Sequence, residues 1–247
     1  MCVVGACLAS TMASRPQPDR SIHRLLHERT RPRLGVLSRE DLLACGLSAQ
    51  ASRRWVRSGK LDEIFPGAFV LPGVPLSWKQ KLMCALTWAG PEAKASHRSA
   101  AALIGLDGFP EGVIEITMPS KRKPVEGIIT HRVERISPHD VTKVGPMRTS
   151  TAARILLDLG AVSSFDAVEC ALEDALRRKL TTLPALRWQL RTQGRRGVKG
   201  TATLKRLLQS RPRGYVATES RLELKIDRVL RSISLPFYAR QHAIATR

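Results

Sequence analysis

Between Val36 and Leu71 the chain sets helix caps, helix stops and a tight turn so close together that few folds remain open to it. Ser38 stands before Glu40 and Asp41, an N-cap with carboxylates in the first turn, where they meet the positive end of the helix dipole. Leu42, Leu43 and Cys45 carry that helix to Gly46, which stops it. Ser48 caps a second helix running to about Ser58, and Gly59 closes it. Ile64-Phe65, Pro66-Gly67 and the run Ala68–Leu71 then read as a hairpin turning at Pro-Gly. A short amphipathic helix with Ile22, Leu25 and Leu26 on one side comes first, broken by Arg31-Pro32-Arg33. Three short helices followed by a hairpin predict a winged helix-turn-helix. Gly46-Leu47-Ser48 has the connection length that this motif uses.

The third helix has two chemically distinct sides. Gln50, Arg53, Arg54 and Arg57 fall at i, i+3, i+4 and i+7, on one face. Ala51, Ser52, Trp55 and Val56 fall opposite, so Trp55 is expected to pack against the other helices. An apolar side seated on a scaffold and a side of long donors facing out is what a recognition helix needs. Glutamine can pair with adenine and arginine with guanine in the major groove. Lys60 and Arg39 are candidates for phosphate contact. The bland reading of the stripe, a solvated basic face on a helical bundle, is made less attractive by the hairpin that follows.

Charge points the same way. The chain carries a net charge of +20, a basic excess that suits polyanions, nucleic acid before anionic membrane. Arginine outnumbers lysine 30 to 11, so part of the excess reflects codon usage in a GC-rich genome. From Ala175 to Thr218 there is no acid against twelve bases. Two readings fit that segment, including Gly194–Gly200 (GRRGVKG): tracking along phosphates, or the solvated arginine-rich face of two helices around a joint. Five scattered cysteines without a CxxC read as thiols of a reducing cytoplasm. No apolar run approaches the roughly 18–20 residues of a membrane span.

Farther along, helices are expected from Leu76 to Trp88 and from Ser96 to Leu106. Val113–Met118 alternates Ile114, Ile116 and Met118 with Val, Glu and Thr, a half-buried strand. Gly127–Val133 is a second strand, and Lys121–Pro124 between them predicts a β-hairpin with a basic tip. Helical patterns follow at Ser150–Leu159, Phe165–Lys179, Leu183–Gln193 and Thr201–Ser210, and a closing helix begins at Thr218-Glu219. The fold class is α+β: an N-terminal winged helix-turn-helix, a central α/β domain, a helical basic segment and an incomplete C-terminal unit. The expected divisions are a disordered leader over 1–19 (with translation from Met12), the winged helix over 20–74, the central domain over 76–161, the basic segment over 162–213 and the last unit over 218–247.

The stretch from Gly35 to Leu71, then SHRSAAALIGLDG (Ser96–Gly108), the strand pair VIEITMPSKRKPVEGIITHRV and MRTSTAARILLDLGA (Met147–Ala161) together resemble the AbiEi-type antitoxins of type IV toxin–antitoxin systems, in their actinobacterial form. The resemblance covers about residues 34–161. It implies a DNA-binding regulator whose winged helix binds its own promoter and whose central domain helps neutralise a nucleotidyltransferase toxin. The expected partners are therefore double-stranded DNA and a toxin protein, with no membrane and no cofactor. His97 and Arg98 in the SHRSAA segment, and His131 on the second strand, are taken as structural.

Thr218–Ile244 resembles the opening helix and first strand of a Vsr-like (DUF559-type) domain of the restriction-endonuclease superfamily, the source of an alternative reading as an endonuclease relative. Glu219 or Glu223 matches the early helical glutamate of that family. Its metal site needs further carboxylates on later strands, and the chain reaches Arg247 before any of those strands. The expectation is a truncated relative without nuclease activity, and no enzyme. No metal site is expected either: His23 and His27 lie four apart but make no HExxH.

Overall fold

The computed structural model describes residues 18–73, 75–193, 199–212, 214–215, 217 and 221–233. The leader expected over 1–19 lies almost wholly outside these residues, as do Glu219, residues 194–198 of GRRGVKG and the chain from 234 onward.

The N-terminal third folds as its caps dictate. Helix α1 (Pro18–Thr30) runs into a 3-10 turn over Arg31–Arg33, and strand β1 (Val36–Ser38) follows. Ser38 ends the strand and caps helix α2 (Arg39–Ala44) in a capping box: its hydroxyl accepts from the Asp41 amide at 3.1 Å, and the Asp41 carboxylate accepts from the Ser38 amide at 2.8 Å. The same carboxylate receives Arg33 at 2.8 Å and Arg29 at 3.4 Å, which ties α2 to the turn before it. Gly46 takes a left-handed φ of 84°, with its amide on the Leu43 carbonyl and the Leu47 amide on the Leu42 carbonyl. Helix α3 (Ala49–Arg57) closes the same way, with Gly59 at φ 70° and the Lys60 amide on the Trp55 carbonyl. These paired closures suit glycine because an L side chain is strained there. Strands β2 (Asp62–Phe65) and β3 (Ala68–Val70) form the expected hairpin, and Glu63 holds its turn by accepting from the Gly67 amide at 2.8 Å.

Strand β1 was not foreseen. It pairs antiparallel with β3, giving the order β1-β3-β2. Alternate residues of the β1–β3 pair enter different cores. Leu37 and Phe69 join Leu26, Leu42, Leu47 and Leu61 under the three helices. Val36, Ala68 and Val70 face the other way, into a cluster with Leu82, Met83 and Leu86 of helix α4 (Trp78–Ala89).

Beyond α4 the chain builds a second sheet from β4 (Lys94–Ala95), β5 (Ile114–Met118), β6 (Ile128–Arg132), β7 (Val141–Val144) and β8 (Met147–Ser150), in the order β6-β5-β4-β8-β7. Helix α5 (His97–Leu103) packs on it, and α6 (Ala152–Leu159) packs on α5. Two expectations fail here. The strand pair around Lys121–Pro124 is not a hairpin: β5 and β6 run parallel, Ile114 opposite Ile128, so the basic loop crosses back along the length of the strand. Nor is β5 half-exposed. All five of its residues are buried, Glu115 and Thr117 included, because neighbouring helices cover it and its charge is paired internally. The hairpin β7–β8 was also missed, its second strand lying in the stretch read as the approach to a helix.

Helices α7 (Phe165–Arg177), α8 (Leu183–Gln193), α9 (Thr201–Gln209) and α10 (Arg221–Ser232) complete the described chain, close to their expected bounds. The acid-free segment is much less free than it reads. Arg177 and Arg178 pair with Asp174, and Arg178 also donates to the carbonyls of Gly105 and Ile104. Arg187 donates to the Arg211 carbonyl, and the Arg206 guanidinium lies 4.8 Å over the Phe165 ring. Arg211 itself is 1% exposed, with Glu169 at 2.9 Å and Glu173 at 2.7 Å. The acids that answer these arginines stand just upstream of the acid-free window, on α7.

Replacing Arg211 by leucine leaves two carboxylates buried without their cation. Such a loss costs about 3–5 kcal/mol, so R211L is expected to unfold at markedly lower denaturant than the parent chain, read by circular dichroism.

Candidate nucleic-acid interface

Helix α3 carries the candidate surface, and its seating follows from its composition. Ser52 is buried and returns its hydroxyl to the Ser48 carbonyl at 3.0 Å. Trp55 is half-buried against the small core with Ala51 and Val56, as the wheel predicts. Its indole stacks on His23 of α1, ring centroids 5.2 Å apart, and the Lys60 ammonium stands 5.3 Å from it on a cation–π contact. The aromatic ring therefore locks α3 to α1 and is not presented to a base.

Gln50, Arg53, Arg54 and Arg57 are all exposed on the opposite side. Among the described residues none of these four, nor Arg39, has a hydrogen-bond or ion-pair partner for its side chain. Arg39, Gln50, Arg53 and Arg57 line one cleft of ≈ 500 Å³ between α3, the start of α2 and the β2–β3 hairpin. Arg54 lies on the same exposed face but outside that lining, and Lys60 is turned toward the tryptophan. The structure thus brings four of the six candidates together, with Arg54 at the edge and Lys60 on a different errand. Glu63, which the sequence reading passed over, is the acid in this cleft, and its carboxylate is occupied by the wing turn. Three guanidiniums and one amide over a short concave surface can donate to phosphate oxygens and to purine edges.

Glu223 lies in the first turn of α10, and Glu219 falls outside the described residues.

A second polar cluster was invisible in the sequence. Glu115 of β5, with no solvent exposure, accepts from Arg98 at 2.6 Å and lies 3.1 Å from Nε2 of His131 on β6. His97, at the start of α5, stacks on His131 with ring centroids 3.4 Å apart and sits 3.0 Å from the Ser96 hydroxyl. Burial, aided by His131, pushes the His97 imidazole down to about 3. Burial alone would raise Glu115, but its bonds from His131 and Arg98 hold it below the ordinary carboxylate value. The parallel register of β5 and β6, which no local pattern encodes, pairs Glu115 with Ile129 and sets His131 two residues further along the neighbouring strand.

Among the described residues no helix is long and apolar enough to cross a membrane. No curated protein matches the chain in sequence. Among solved structures, the Rv2827c protein from Mycobacterium tuberculosis is similar in fold, with a TM-score of 0.52 and 18% identity over 79% of this chain and 77% of that one. Residues 19–106, from the first helix of the winged unit to just past α5, match the family model described as transcriptional regulator, AbiEi antitoxin N-terminal domain, and that is the family likeness this chain carries.

Proposed function

We propose that the chain is a cytoplasmic, sequence-specific regulator that binds double-stranded DNA through its winged helix, at the promoter of its own operon, and that it serves as the antitoxin to a nucleotidyltransferase-type toxin. The observation that carries the DNA reading is the unpartnered basic face of α3 opening onto the cleft beside the wing. The likeness of residues 19–106 to antitoxin-type regulators supports it. In this reading Gln50, Arg53, Arg54 and Arg57 meet base edges and Arg39, at the first turn of α2, meets phosphate, whereas Lys60 stays on Trp55. The proposed role includes no catalytic step.

Binding to the upstream region and to random duplex, measured at fixed salt, tests the assignment. Arg53→Ala is expected to cost about 1–3 kcal/mol on the specific site and much less on random duplex. Arg39→Ala is expected to weaken both alike and to reduce the salt dependence by about one counterion. Equal losses from both substitutions would reduce the helix to a nonspecific basic surface. Co-purification with the product of an adjacent nucleotidyltransferase gene tests the antitoxin role. Incubation with Mg²⁺ and supercoiled plasmid is expected to produce no nicks, and cleavage would favour the endonuclease alternative.

A further inference from the structure

Three elements converge on the second polar cluster: the first turn of α5 with His97, the middle of β5 with Glu115, and β6 with His131. We propose that these three side chains form a binding site for one divalent transition-metal ion of the zinc class. Their donor atoms all lie within 4.8 Å of one another. Ligands of a tetrahedral zinc ion stand about 3.3 Å apart, given bonds of about 2.0–2.1 Å. Side-chain rotation of about an ångström closes that gap.

The arrangement around each ligand favours an ion over a simple ion pair. Two imidazoles stack 3.4 Å apart, 16° from parallel, which brings both rings to one place beside the Glu115 carboxylate. Two of the three ligands also have an orienting partner of the kind metal sites use. With its Nδ1 held 3.0 Å from Ser96 Oγ, His97 keeps Nε2 for the ion. Arg98 occupies one oxygen of Glu115 and leaves the other toward His131, and the Ser99 hydroxyl accepts from the Glu115 amide at 2.7 Å. Arg98 is itself anchored on the Val162 carbonyl. His97 has a left-handed φ of 49°, a conformation costly for a residue with a Cβ and common where a side chain must be aimed. His131 remains a quarter exposed, so a water can take the fourth position. Two histidines, one carboxylate and an open place suit a borderline divalent ion better than magnesium or calcium, which prefer oxygen.

The test uses the full chain, stripped with a chelator and titrated with Zn²⁺ and separately with Co²⁺. One equivalent of zinc is expected to bind. The cobalt form should show the visible bands of low coordination without a sulfur-to-cobalt charge-transfer band, since five cysteines offer a competing set. His131→Ala, partly exposed and checked for native circular dichroism, should weaken zinc binding by at least about 100-fold. No bound zinc, a sulfur charge-transfer band in the unmodified chain, or unchanged affinity in a folded H131A variant would each overturn the site. The cobalt spectrum needs no variant, so the site stays falsifiable even where a substitution disturbs folding.

Discussion

The antiparallel pair β1–β3 is the joint on which the DNA-facing unit depends, because both of its faces are buried. Leu37 and Phe69 close the core beneath the three short helices, and Val36, Ala68 and Val70 enter the core that α4 shares with the second sheet. A strand residue cannot shift by one position without exchanging these two environments, so the register is over-determined. Its consequence reaches α3. Ser38 belongs to the strand and to the cap of α2, and Asp41 binds both Ser38 and Arg33. The Arg33 guanidinium in turn reaches Thr87 on α4 at 3.2 Å. The basic face is thus held on a frame continuous with the rest of the chain.

The parts of this unit that could be read in advance are those set by neighbours in sequence. Ser38, Ser48, Gly46 and Gly59 mark helix ends through local hydrogen bonds, and Pro66-Gly67 marks a turn. The face of α3 follows from helical spacing alone. What escaped depends on partners far away in the chain. Three residues, Val36 to Ser38, carry no strand signature of their own and become a strand only by lying on β3. The strands β5 and β6 each declare themselves, but nothing in nine connecting residues tells parallel from antiparallel. Alternation along β5 reads Glu115 as an outward residue, and its meeting with His131 and Arg98 stays hidden.

The charge of the chain separates into two populations once the partners are known. Arg98, Arg154, Arg177, Arg178 and Arg211 are bound to carboxylates within the fold and contribute to its stability. Arg39, Arg53, Arg54 and Arg57 bond to nothing among the described residues and are left for a ligand. The net +20 already discounts those internal pairs, and one small cleft gathers part of what remains. Codon usage can supply arginines, but it does not arrange them on one side of a helix with a buried serine and a stacked tryptophan behind.

Hydrogen–deuterium exchange with and without duplex from the upstream region tests the central claim most directly, because it reports where DNA lies without altering a residue. Protection on binding is expected at the start of α2, along α3 and in the turn between β2 and β3, with α8 and α9 unchanged. Protection confined to α8 and α9, with α3 exchanging as in the free chain, would contradict the account and move the interface to the basic segment.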